Sequence, residues 1–64
     1  MSTNEQSLTV NLTDQEAWDL ALFLKRIGFS EFRNHAADKN EAYCMLRAAE
    51  KVRSSLAEIG YQPR

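Results

Sequence analysis

Between Thr13 and Gly28 the chain encodes both ends of a helix, then leaves that helix apolar around too much of its circumference to stand beside a single neighbour. Thr13-Asp-Gln-Glu16 has the form of a capping box. The Thr hydroxyl accepts from the backbone N–H three residues on, and the Glu16 carboxylate accepts from the N–H of Thr13. Asp14 and Glu16 suit the positive end of the helix, and Lys25 and Arg26 suit its negative end. Gly28 is expected to supply the left-handed residue that closes it. The result is a predicted helix over 14–27. Within it the run LALFL, residues 20–24, sends apolar groups in every direction, with Ala17, Trp18 and Ile27 alongside. One neighbouring helix covers an apolar stripe of roughly 100°. This helix is therefore central, covered on two sides, or part of an interface.

The rest of the chain offers it one long neighbour. In the C-terminal third, Ala42, Met45, Ala49, Val52, Leu56 and Ile59 recur at alternating spacings of three and four, which is a heptad seam. Asp38-Lys-Asn-Glu41 repeats the capping logic, and Gly60 with Pro63 closes the pattern, so the last helix is predicted over 39–59. Between the two, Ser30 can cap a short helix that carries Phe32 and Ala36; the sequence leaves open whether the chain bends near 37–40 or stays helical. Three heptads are short for an independent coiled coil, so the seam is expected to pack on the first helix.

Upstream, residues 1–7 are polar and patternless, and a disordered tail is expected there. Leu8, Val10 and Leu12 then alternate with Thr9 and Asn11, the period of two of a strand. A lone strand cannot satisfy its own backbone and needs a second chain, a partner's sheet edge, or the helices beside it. The fold class expected is mainly α: a short extended or strand-like N-terminal segment, then a helical hairpin with a short intervening helix. Residues 8–64 form one domain.

Size and composition exclude several activities. A chain of 64 residues buries only roughly 60% of its unfolded surface. One such core rarely supplies more than about 3–5 kcal/mol. Cys44 is the one cysteine and His35 the one histidine, too few for a structural zinc cage; neither metal nor cofactor is expected. Cys44 and His35 could be imagined as nucleophile and base, but that chemistry requires an orienting third group and an enclosing pocket, so a non-enzymatic protein is expected. No apolar run approaches the ~20 residues of a membrane span. The N-terminus has no signal-peptide form, and a lone thiol fits a reducing compartment, so a cytoplasmic location is expected.

The formal net charge of −1 is unevenly spread. Glu5, Asp14, Glu16 and Asp19 lie in residues 1–24 without a base, whereas Lys25, Arg26, Arg33 and Lys39 crowd the following stretch. Such polarity favours charge-guided docking to a protein. The basic residues and Phe29 are candidate partner contacts, as is Trp18, since Trp and Arg are favoured interface anchors. Basic side chains among aromatics can also hold phosphates or stack bases, which makes nucleic acid the lesser expectation.

Two resemblances add to this. Over residues 8–36, the strand-like run, the helix and Gly28-Phe29-Ser30 resemble ribbon-helix-helix DNA-binding proteins, which implies a dimer whose outward strand residues, here Thr9 and Asn11, read the major groove. The segment lacks Arg or Lys in the strand, and three acids open the helix. The patches LTDQEA, FLKRIGFS and GYQPR resemble a family of short bacterial and phage-associated proteins. That likeness implies a phage or mobile-element setting, in which small proteins act as inhibitors, anti-CRISPR proteins among them, or as adaptors. The leading expectation is a protein-interaction module for a bacterial protein; the alternative is a dimeric ribbon-helix-helix regulator.

Overall fold

The computed structural model describes residues 5–63; the expected tail therefore lies partly outside the described residues. Among these residues there are three helices: α1 (Asp14–Arg26), α2 (Phe29–Asn34) and α3 (Lys39–Glu58). Among the described residues there is no strand, and residues 5–13 carry neither helix nor strand.

α1 starts as its sequence dictates. Thr13 Oγ1 accepts from the Glu16 N–H at 3.1 Å, and Glu16 Oε1 accepts from the Thr13 N–H at 2.8 Å. Its end is different from the expectation. Gly28 has φ −110° and ψ 174°, an extended conformation, and Ile27 before it is extended as well. The helix stops because the chain straightens there, and Gly28 serves as the first residue of the next turn. Its N–H donates to the Glu31 carboxylate, which also accepts from Ser30 Oγ at 2.9 Å. Glycine has no side chain to answer the N–H of Glu31, so this is half a capping box. Ser30, expected at the cap, sits inside α2 and braces Glu31 instead.

Residues 35–38 break the helical path, which settles the bend before α3. Asp38 Oδ1 accepts from the Glu41 N–H at 2.8 Å, and Glu41 Oε1 reaches one residue further back, to the N–H of Ala37 at 2.9 Å. At the far end, Gly60 adopts φ 105°. The Tyr61 N–H donates to the Leu56 carbonyl at 2.9 Å, and the Gly60 N–H donates to Ala57 at 3.1 Å. These are the two bonds of a Schellman motif, and only a left-handed residue permits them.

Both other helices pack on α3; the central helix is therefore α3 and not α1. Among the described residues the buried side chains are Ala17 and Ala21 of α1 with Ala42 and Leu56 of α3. Alanine at a helix contact lets two axes approach to the short end of the usual range, about 8 Å. Leu20, Leu24 and Tyr61 pack around Ala17, Ala21 and Leu56. The heptad seam is used in part: Met45 and Ala49 are half-buried, whereas Val52 and Ile59 are exposed. A seam spaced at 3.5 residues drifts about 20° per heptad on a straight helix, and here the drift carries Val52 and Ile59 off the contact with α1. No helix among the described residues is long and apolar enough to cross a membrane.

Candidate functional site

The burial pattern of α1 decides what it can offer a partner. Ala17, Ala21 and Leu24 point towards α3. At 3.6 residues per turn, Asp19, Leu22, Phe23 and Arg26 fall together on the opposite side. Leu22, Phe23 and Ile27 indeed line an open concavity at the α1–α2 corner, edged by Asp19, Arg26, Glu31 and His35. Phe23 is 57% exposed. The corner is an apolar floor with both signs of charge on its rim.

Its rim charges differ in how far they are engaged. Glu31 is held by the Gly28 N–H and by Ser30, and these hydrogen bonds keep its carboxyl below the usual carboxylate range. Asp19 Oδ1 accepts from Gln15 Nε2 at 2.9 Å. Arg26 has no ion-pair partner: among the described residues the one salt bridge is Arg53–Glu50, at 3.9 Å.

A second concavity lies between α1, α3 and the N-terminal segment, where Leu8, Val10 and Leu12 share a lining with Leu20, Val52 and Ile59. Its rim holds Tyr61, which the Schellman turn folds back over the start of α1. The Tyr61 hydroxyl donates to Asp14 Oδ1 at 2.7 Å, and the Trp18 ring meets the Tyr61 ring edge to face at 5.1 Å. The bond to Asp14, burial and the Asp14 charge together hold the phenol above its ordinary value.

The sequence candidates occupy two ends of the molecule. Trp18 sits with Tyr61 and is 36% exposed, half anchor and half surface. Lys25 and Arg26 close α1 at the other end, and Arg33 and Lys39 are exposed in the last turn of α2 and the first of α3. Of these four cations, Arg26 alone lines the corner concavity. Arg33 Nη1 donates to the Ala36 carbonyl at 3.3 Å, which occupies it in finishing α2. Phe29 turns to α3, where it packs on Tyr43 with ring centroids 4.8 Å apart. Thr9 and Asn11 are exposed in the segment without regular structure.

His35 lines the corner; Cys44 is exposed and is not part of that lining. The described residues contain no group of three or more His, Cys, Asp or Glu placed to hold a metal ion. The residues that sequence reasoning did not single out are Leu22, Phe23 and Asp19. Their signal was the surplus in LALFL, which showed that something would stay uncovered without showing which side.

Fold and surface together define a small helical domain whose described residues bury three alanines and one leucine and leave several large apolar side chains exposed. The chain belongs to DUF7706, a family of unknown function, which it matches over residues 1–64. No curated protein and no solved structure matches it.

Proposed function

We propose that this domain acts without catalysis, as a protein-interaction module that docks on a bacterial protein in the manner of a phage or mobile-element inhibitor or accessory. One observation carries the reading. Among the described residues four are buried, three of them alanine, while Leu8, Val10, Leu12, Trp18, Phe23 and Ile59 are among the large apolar side chains left exposed. Exposed apolar surface of that extent, rimmed by charge, is the mark of an association surface. The charge polarity of the chain supports docking to an acidic face, with Lys25, Arg26, Arg33 and Lys39 as its basic contacts and Trp18 and Phe29 as aromatic ones. The setting rests on the resemblance of the LTDQEA, FLKRIGFS and GYQPR patches, and a cytoplasmic site of action goes with it. No cofactor is part of the proposal.

The test is capture from a bacterial lysate by the tagged chain, beside the variant Lys25→Glu/Lys39→Glu. A specific protein held by the wild type and lost by the variant, at equal helix content, is the expected result. A folded, freely dissolved wild type that holds nothing specific overturns the reading.

A ribbon-helix-helix regulator is the second reading, favoured by the 85% and 67% exposure of Leu8 and Val10, which leaves the apolar side of the N-terminal run open to a second copy. An extended Leu8–Leu12 segment is part of that proposal. In it Asn11→Ala alters sequence preference, whereas Lys25→Ala weakens binding to all DNA alike.

A further inference from the structure

We propose that the outward face of α1 is a self-association surface on which a second copy of this chain packs antiparallel. The proposal rests on the reading above that the domain works by association, and it names the occupant of one face. Asp19, Leu22, Phe23 and Arg26 share that face, and all four line the open corner beside α2. Asp19 and Arg26 lie at equal distances, in opposite directions, from the midpoint between Leu22 and Phe23. A two-fold axis through that midpoint, perpendicular to the helix, brings each Asp19 level with the second copy's Arg26. It also sets Leu22 against the second copy's Phe23.

Charge complementarity selects this occupant. A two-fold interface must be self-complementary, with residue i meeting j and j meeting i. The seven steps from Asp19 to Arg26 span roughly 10 Å along the helix, so both opposite-charge pairs form at once, on either side of the apolar centre. Among the described residues Arg26 has no ion pair and Asp19 meets only the neutral Gln15 amide, so the second copy meets charges that are still available. Parallel packing sets like charges together and is disfavoured. The ends of the helix agree: the acids Asp14 and Glu16 open α1, and Lys25 and Arg26 close it. Exposed ion pairs contribute little affinity and mainly fix register. The burial of Leu22, Phe23 and Ile27 drives association, and two α1–α3 pairs joined in this way make a four-helix arrangement.

The experiment is light scattering on the full chain across a wide concentration range, with helix content checked by circular dichroism. The wild type is expected to pass from 7.3 kDa to twice that mass as concentration rises. Asp19→Arg alone and Arg26→Asp alone each set like charges face to face, and each raises the dissociation constant at least about tenfold. An equimolar mixture of the two single variants restores both attractive pairs in a heterodimer, and so does the double variant with itself. A wild type that stays at 7.3 kDa throughout overturns the proposal, as does a mixture of single variants that remains monomeric while both are helical. A dimer lost on Val10→Asp but indifferent to Asp19→Arg also overturns it, because the N-terminal run is then the interface. Lysate capture by a monomeric wild type leaves the binding reading standing and this inference refuted; a charge-dependent dimer that captures nothing does the reverse.

Discussion

The two sides of α1 are built from opposite materials. Facing α3 are Ala17 and Ala21, both almost wholly buried; facing away are Leu22 and the 57% exposed Phe23. A globular helix usually places its large apolar groups inward and its small or polar ones outward. Here the centre of the contact is small, Ala17 and Ala21 with Leu20 and Leu24 at its margin, which lets α1 and α3 approach closely, and Leu22 and Phe23 stay outside because, of the described helices, α1 packs on α3 alone. Folding therefore uses little apolar area, and one of the large side chains it leaves exposed, Phe23, lies on the face that carries Asp19 and Arg26. In the proposed association, stability and self-packing rest on different residues of one helix, and each can be changed without the other.

The largest effect is expected at the one large side chain that is buried among the described residues. Leu56 is 5% exposed and packs on Ala17 and Ala21. Leu56→Ala in a core costs about 2–5 kcal/mol, comparable to the about 3–5 kcal/mol that one core of this size supplies. The variant is expected to be largely unfolded at 25 °C, with its far-UV helix signal lost. A Leu56→Ala chain that unfolds in denaturant like the wild type would show that the inner face does not hold the fold.

A smaller effect is expected where the chain's end is fastened to α1. Tyr61→Phe keeps the ring against Trp18 and removes the hydrogen bond to Asp14. The sign with pH follows from the raised phenol: the folded state favours the protonated form. Its contribution is fully present below the ordinary tyrosine value near 10, and it is lost as pH rises through the higher folded value. Thermal melts should show the wild type losing more of its stability than Tyr61→Phe between neutral and strongly alkaline pH. Parallel pH profiles would mean that the bond to Asp14 is made equally in the unfolded chain.

How far the sequence carried the fold depends on whether the deciding group was local. The Thr13 box, the Asp38 cap and the Gly60 ending were legible because each involves residues within five positions of one another. Gly28 misled for a physical reason: a glycine after a helix fits a left-handed close, yet it equally tolerates the extended turn that lets Glu31 cap α2. The partition of the heptad seam was not legible, because it depends on how α1 is placed against a straight α3. The Tyr61 bond to Asp14 spans 47 positions and leaves no local trace. At the candidate site, the surplus of LALFL was visible in the sequence, and its outward direction was not. The basic cluster was visible too, but of its four cations Arg26 alone lines the corner, while Arg33 is taken up in finishing α2 and Phe29 turns to Tyr43.

The smallest effect on the fold is expected at the outer face, and there the comparison is sharpest. Phe23 lines the open corner and is absent from the buried cluster, so Phe23→Ser removes no core contact of the isolated chain. A surface change of this kind shifts stability by no more than about 0.5 kcal/mol. That near-neutrality should hold only in dilute solution. The proposed association through the outer face would stabilise the folded chain by mass action, so the wild-type melting temperature is expected to rise with concentration. For Phe23→Ser it should stay flat. The gap between the two proteins is therefore expected to be small at low micromolar concentration and to widen steadily as the protein is concentrated. A constant gap, present on dilution, would place Phe23 in the fold and make α1 an ordinary helix with a single stabilising circumference. A gap that opens with concentration would mark the outer face as the one reserved for another chain.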